Sequence, residues 1–400
     1  MIYLALQDWI LQAPATMNHQ KLLILITITR YLLILYTLTW AFLAPQNLMV
    51  PRIISPTEAR DHNLVVRTLN LCKIQSFTVA QNLLSKSIFD IFTNNNVDTQ
   101  LRAMKEENDK ISAGIKIKIH TGYTLEFATT TDIPINEPEI IYHYIDNTKP
   151  LVMYIHGYRE HPANESIRTV IGAYLDRGTD NIFLVDWSDL SFDSYLNLLL
   201  QVKDMARIIA NTLDRLIELG LDLDTFHLIG HSMGAQMAGF VGKYSKYTLP
   251  RITGLDPAGP GFYLPTAEHI NDKSAKFVDI LHTDGGFYGA LENTGTVDFF
   301  ANGGKRAQPG CPFLGVPLTP TDLCNHWRSW RIYAESIKDP YAFPAVKCPS
   351  YRDYSEGNCK DNNVVYYGYS ISTDVRGSYF FDTNDKSPYG KSFESSEIFR

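Results

Sequence analysis

Gly230-His231-Ser232-Met233-Gly234 is the stretch that decides how this chain folds. It reads Gly-x-Ser-x-Gly, preceded by Phe226-His227-Leu228-Ile229 and followed by the small residues Ala235, Ala238 and Gly239. An apolar run, a tight turn and a segment spaced by small residues predict strand, turn and helix. Such a turn lifts the serine hydroxyl above a sheet and aims the next backbone N–H at the same point. The flanking glycines fit, because a strained turn leaves no room for side chains on either side of the serine.

Working outward, Leu151–Ile155, Ile182–Val185, Ile252–Leu255 and Phe277–Leu281 are further continuous apolar runs. Runs of this kind suit strands buried on both faces of a mostly parallel sheet. Between them, Tyr195 to Leu219 carries Leu199, Val202, Ala206, Ile209, Leu213, Leu216 and Ile217 on one stripe, with Gly220 as a stop; this predicts an amphipathic helix. Alternating strand and helix gives an α/β fold whose catalytic loops lie at the carboxyl ends of the strands. Upstream, Ile115, Ile117 and Ile119 alternate with lysines, the period-2 pattern of a half-exposed strand. Gln100 to Lys110 is charged and suits a solvated linker or helix, and Ser76 to Phe92 has helical spacing of apolar residues.

The hydrophobic content of 45% and charged content of 20% are those of a globular protein with a large core. A net charge of −7 argues against nucleic acid as a partner. Leu22 to Ala44 is almost wholly apolar, broken by Arg30 and preceded by Lys21, and predicts a signal peptide or signal anchor over residues 1–45. Residues 46–110 then form a variable lead-in, and 111–400 the main domain. Entry to the secretory pathway implies an oxidising compartment. Four cysteines, Cys311, Cys324, Cys348 and Cys359, lie in two close pairs, with Cys72 left over. Four cysteines allow three connectivities and spacing does not choose among them. Local pairing would contribute on the order of 3 kcal/mol per short loop. Asn164-Glu165-Ser166 is a glycosylation sequon.

A serine hydroxyl is inert at neutral pH without a base to take its proton and an acid to orient that base. Ser232 is the candidate nucleophile. Asp256, in Leu255-Asp256-Pro257-Ala258-Gly259-Pro260, directly follows a buried run and is the candidate acid, with Asp279 and Asp284 as fallbacks. His326, in Cys324-Asn325-His326-Trp327-Arg328, is the candidate base at the start of a helix running to about Ile337. Among its rivals, His231 is expected to pack and His282 to make a structural hydrogen bond. The order Ser, Asp, His is that of α/β-hydrolases. An oxyanion hole needs two convergent N–H donors. Met233 supplies one, and Tyr158, after His156-Gly157, the natural second.

These residues resemble the pancreatic lipase family of secreted animal α/β-hydrolases. The resemblance is carried by Tyr154-Ile155-His156-Gly157-Tyr158, Leu184-Val185-Asp186-Trp187, His227 to Ala235, Thr253 to Pro260, Phe277 to Asp284, Asp298 to Gly304 and Cys324-Asn325-His326, in the family's order. It implies an α/β-hydrolase fold, a triad of Ser232, Asp256 and His326, and an oxyanion hole from Tyr158 and Met233.

Departures from the family pattern narrow the expected substrate. In the family, two cysteines before the catalytic histidine bracket a lid; here Cys311 and Cys324 enclose only PFLGVPLTPTDL. The Asp284–Asp298 loop is short as well. Short lid and short loop resemble the phospholipase A1 branch, in particular its insect members. The lid stays apolar at Phe313, Leu314, Val316 and Leu318. The sequence after His326 is too short for the β-sandwich domain of the larger lipases, so no colipase is expected. The segment matching the family's calcium site, Ala267 to Ser274, has Asn271 and Ser274 where acidic residues are expected, so no metal or other cofactor is expected. The expectation is a secreted hydrolase of glycerolipid acyl esters, of phospholipase A1 type, meeting phospholipid or neutral glycerolipid at a lipid surface or lipoprotein. The alternatives are a triacylglycerol lipase and, from another class, a non-catalytic yolk-type lipid-binding protein. Tyr263, Phe262 and Phe287 are candidates to line an acyl groove.

Overall fold

The computed structural model of the chain describes residues 97–391. The N-terminal apolar segment, the expected helix at Ser76–Phe92 and Cys72 lie outside the described residues. The fold described is that of the unit Asn96–Arg400.

The charged stretch near residue 100 is helical: α1 spans Val97–Ala113 and its last turn places Ile111, 2% exposed, in the core. It crosses the 110/111 boundary expected between lead-in and main domain. The strands follow as β1 (Lys116–Thr121), β2 (Thr129–Pro134), β3 (Leu151–Ile155) and, after α2 (Glu165–Arg177), β4 (Asn181–Asp186). Then come α3 (Tyr195–Glu218), β5 (His227–His231), α4 (Met233–Tyr244), β6 (Arg251–Leu255), β7 (Phe277–His282) and β8 (Val297–Ala301). The order closes with α5 (Pro320–Lys338), β9 (Pro344–Lys347), β10 (Val364–Tyr366) and β11 (Gly377–Phe381).

Among the described residues, all eleven strands join one sheet in the order β10-β9-β11-β8-β7-β6-β5-β3-β4-β1-β2. From β4 through β11 the neighbours are parallel. Antiparallel pairs close both edges, β1 with β4 and β2 on one side and β9 with β11 and β10 on the other. Burial follows the apolar runs: every residue of β3, β5 and β7 is buried. Alternate residues point into two separate cores. Met153, Ile155, Phe183, Val185 and Leu228 pack with α3 and α4, while Val152, Tyr154, Ile182, Leu184 and Ile229 pack with α2 and α5. A strand covered on both faces has no polar side, which is why these runs lack alternation. The half-exposed β1 keeps it, with Ile117 and Ile119 buried and its lysines partly exposed.

α3 begins at Ser194, whose hydroxyl accepts the Asn197 N–H at 3.2 Å, and buries Leu198, Val202, Met205, Ala206, Ile209, Leu213 and Leu216. The stripe expected from its spacing is present. Leu199 and Ile217 stand only at its edge, packed against the core while part-buried. The fold is an α/β-hydrolase fold.

Candidate active site

The parallel register brings the carboxyl ends of β5, β6 and β7 level, with His231 opposite Leu255 and Leu255 opposite Leu281. The turns leaving those ends are stitched together. Ser232 donates its N–H to the Leu255 carbonyl at 3.0 Å, Ala258 to the Ser232 carbonyl at 3.1 Å, and Asp256 to the Leu281 carbonyl at 2.7 Å.

Ser232 sits between β5 and α4 at φ 56, ψ −120, a conformation costing a non-glycine residue on the order of 1–3 kcal/mol. A Cβ at Gly230 would lie 2.2 Å from the Gly234 carbonyl oxygen, and one at Gly234 only 2.3 Å from that of Ile155. The glycines are therefore fixed by backbone contact on both sides of the serine.

Asp256 is fully buried at φ 44. Its Oδ1 accepts the N–H groups of Thr283 at 2.8 Å and Asp284 at 3.1 Å. Its Oδ2 lies 2.6 Å from His326 Nδ1. A carboxylate only accepts, so Nδ1 carries the proton and Nε2 is left as the basic face. Burial disfavours charge on His326, yet the hydrogen bond and attraction to Asp256, reinforced by Asp284 and Glu160, raise its pKa above the ordinary imidazole value. His326 lies in the second turn of α5. The helix starts earlier than expected, at Pro320 inside the cystine loop, because proline is favoured in a first turn.

Ser232 and His326 share a cavity of 720 Å3. Its walls include Tyr158, Tyr195, Pro260, Tyr288, Leu323, Trp327 and Trp330. Gly157 lets the loop after β3 approach the serine: a Cβ there would stand 3.1 Å from Ser232 Cβ and 3.0 Å from His231 Nδ1. Around Tyr158 the neighbouring donors are committed, Gly157 N–H to Glu160 at 2.6 Å and Arg159 N–H to the Ser191 carbonyl at 3.0 Å.

Glu160 was not singled out by the sequence. It is 5% exposed, faces His231 at 3.4 Å and grips the Gly157–Tyr158 loop through the Gly157 N–H. Burial pushes its pKa up, but His231, His156 and the Gly157 N–H prevail and hold it at about 2. Nothing in a Tyr-Arg-Glu triplet announces this. Trp327 and Trp330 could have been found, since four residues is one helical turn and places Trp330 on the face of His326.

Asp284, a fallback acid in the sequence, lies beside Asp256 but faces Arg306, with Nε–Oδ1 at 2.6 Å and Nη2–Oδ2 at 3.1 Å. Burial raises its carboxyl to about 6 against that pairing. Arg306 also reaches Asp322 at 2.8 Å, and Asp322 accepts from the Tyr288 hydroxyl and the Leu318 N–H. Asp256, Asp284 and His326 bring ligand atoms within 4.8 Å of one another, but the Arg306 guanidinium already supplies the positive charge there. In the segment aligned to a calcium site, the polar atoms close their own turn. Asn271 Oδ1 takes the Lys273 N–H at 3.0 Å, and Ser274 Oγ the Asn271 N–H at 3.2 Å.

The other fallback, Asp279, is a structural partner of Arg251 at 2.8 Å. His282 makes the structural bonds expected of it, to Asp298 at 2.8 Å and the Ala290 carbonyl at 3.0 Å. His231 is buried, its ring 4.7 Å from that of His326. Cys311 is bonded to Cys324 and Cys348 to Cys359. The acyl-groove candidates fall elsewhere. Phe262 is buried core, Tyr263 lies against His269 with ring centres 4.1 Å apart, and Phe287 meets the lid at Phe313, 5.8 Å between rings. They follow Asp256 and Asp284 in loops whose Ala258, Pro260 and Tyr288, not these three aromatics, line the cavity. Asn164 is exposed on the cavity rim, whereas Ser166 of its sequon is buried.

The profile of the family described as Lipase matches residues 84–389. Lipase member H-A of Xenopus laevis is 33% identical over 307 residues, covering 71% of this chain and 65% of that protein. Lipase member H of Xenopus tropicalis is 32% identical over 305 residues, 70% of this chain and 65% of that protein. Phospholipase A1 member A of Rattus norvegicus is 35% identical over 211 residues, 52% of this chain and 46% of that protein. The chain thus spans just under two thirds of the length of the first two relatives. With the family profile covering well over half of the residues, the chain belongs to the Lipase family.

Proposed function

We propose that the chain is a secreted serine ester hydrolase that cleaves acyl esters of glycerolipids, of phospholipase A1 type. The observation that carries this reading is the 2.6 Å bond between Asp256 and His326 at a cavity shared with a serine on a strained turn. In the proposed reaction His326 Nε2 takes the Ser232 hydroxyl proton as Oγ attacks the acyl carbonyl. Asp256 holds the imidazole by Nδ1–H and balances the imidazolium. The N–H groups of Met233 and Tyr158 receive the oxyanion. The tetrahedral intermediate collapses as His326 returns the proton to the glycerol oxygen, which leaves. Water then repeats the cycle on the acyl-enzyme and releases the fatty acid.

The short cystine loop supports a lipid substrate. Phe313, Leu314, Val316 and Leu318 are 55%, 67%, 72% and 42% exposed on the loop before α5, and Leu318 lines the cavity, a surface suited to meeting lipid. Two disulfides support an extracellular setting, and among the described residues no helix is long and apolar enough to cross a membrane. A glycan at Asn164 would stand on the cavity rim.

The test is product analysis on a phosphatidylcholine with different acyl chains at its two positions, using the native chain and Ser232→Ala. Release from the first position by the native chain, and none by the variant, is expected. Equal turnover by the variant, or release from the second position alone, overturns the proposal.

A further inference from the structure

We infer that Arg159 is the anchor for the substrate's phosphate, and so the residue that makes this cavity a phospholipid site rather than a site for neutral glycerides. The inference rests on the proposed hydrolase function and names its substrate class from the cavity wall.

Arg159 is the one lysine or arginine among the described residues lining the cavity. It is exposed, and among the described residues no carboxylate comes within ion-pairing distance of its guanidinium. Both carboxylates on the same wall are engaged elsewhere. Glu160 holds the Gly157 N–H and faces His231, while Glu165 pairs with Arg331 at 3.2 Å. The positive charge of Arg159 is therefore unspent at the mouth of a cavity whose other walls are largely aromatic and aliphatic.

Its position is built rather than incidental. Arg159 adopts φ 56, a left-handed backbone that costs a long side chain free energy, and it is pinned there by donating its N–H to the Ser191 carbonyl at 3.0 Å. The guanidinium carbon lies 5.6 Å from the centre of the Tyr158 ring. Tyr158 is the residue whose N–H is assigned to the oxyanion. The charge thus directly follows, in sequence, the group that fixes the reacting carbonyl. In a glycerophospholipid the phosphate is separated from the first-position ester only by the glycerol carbons, a span within reach of one extended arginine. A guanidinium presents a planar fork that pairs two phosphate oxygens at once, where a triglyceride offers a third neutral ester.

The experiment compares kcat/KM for a phosphatidylcholine and for a diacylglycerol with the same acyl chains, presented in the same mixed micelles. Native chain, Arg159→Met and Arg159→Lys are measured, with fluorophosphonate labelling of Ser232 reporting an intact site. For Arg159→Met the ratio of phospholipid to diacylglycerol turnover is expected to fall about tenfold to a hundredfold, the range set by one charge-assisted contact. Arg159→Lys keeps the charge without the fork and should fall between. An unchanged ratio, or an equal loss on both substrates, overturns the role of Arg159 and leaves the hydrolase reading standing. A labelled native chain that turns over neither ester overturns both.

Discussion

At the level of single residues, the proposed chemistry depends on which nitrogen of His326 carries the proton. Asp256 decides this, because its Oδ1 is occupied by two backbone N–H groups and its Oδ2 is the atom left to face Nδ1. Asp256→Asn would present an amide of nearly the same shape that can donate, which favours the tautomer with Nε2 protonated. We expect kcat to fall on the order of 10^3- to 10^4-fold with folding retained. The native pH profile should carry the same signature. His326 is a base only when neutral, and its pKa is raised above the ordinary imidazole value, so activity should fall with acid at a pH above that value. Removing the Asp256 charge should move that limb down. A ratio of native to variant kcat below tenfold, or an acid limb that does not move, would count against the assignment. The meeting of Ser232, Asp256 and His326 at one cavity was legible because each sits in a local pattern of glycine, proline or cysteine. Glu160 and Arg306 were not, because His231 is 71 residues from Glu160, and Asp284 and Asp322 are 22 and 16 residues from Arg306, in positions no local pattern connects.

Among the elements, the buried strands were legible because a strand covered on both faces must be apolar throughout. The antiparallel pairs at the two edges were not, since β9, β10 and β11 are short and partly exposed and their pairing depends on tertiary context. The lid is where elements meet. Arg306, after β8, bridges Asp284, after β7, and Asp322, in the first turn of α5. These side chains are 2%, 0% and 7% exposed. Removing the cation leaves two buried carboxylates. Arg306→Met should therefore cost about 3–5 kcal/mol in denaturant unfolding. Asp284 offers partial relief: its carboxyl already sits at about 6, so without Arg306 it can take a proton near neutral pH. The double variant Arg306→Met/Asp284→Asn should accordingly recover part of the loss, a coupling of at least about 1 kcal/mol in a double-mutant cycle. Strict additivity of the two substitutions would show that Arg306 acts through Asp322 alone.

For the molecule as a whole, the sheet concentrates buried charge at the carboxyl ends of its strands, which ties the site to acid stability. Glu160 is the clearest case. In the folded chain its pKa is about 2 against an ordinary value of 4.5, because His231, His156 and the Gly157 N–H overcome the cost of burial. Asp186, at the end of β4, is likewise held well below the usual carboxylate range, burial being outweighed by His156 and Ser188. A depressed carboxyl pKa contributes stability that is complete above the unfolded value. It is lost as pH falls from there through the folded value. For Glu160 the window runs from 4.5 down to about 2, and the contribution at stake is about 3 kcal/mol. Glu160→Gln has no proton to take up, so its unfolding free energy should fall less steeply with acid across that window. Native and variant curves should diverge most near neutral pH and converge towards the acid end. Urea midpoints measured in steps between about pH 2.5 and pH 6 would read the difference directly. Parallel curves would mean that Glu160 is not ionised in the native fold, and that its grip on the Gly157–Tyr158 loop is not an ionic one.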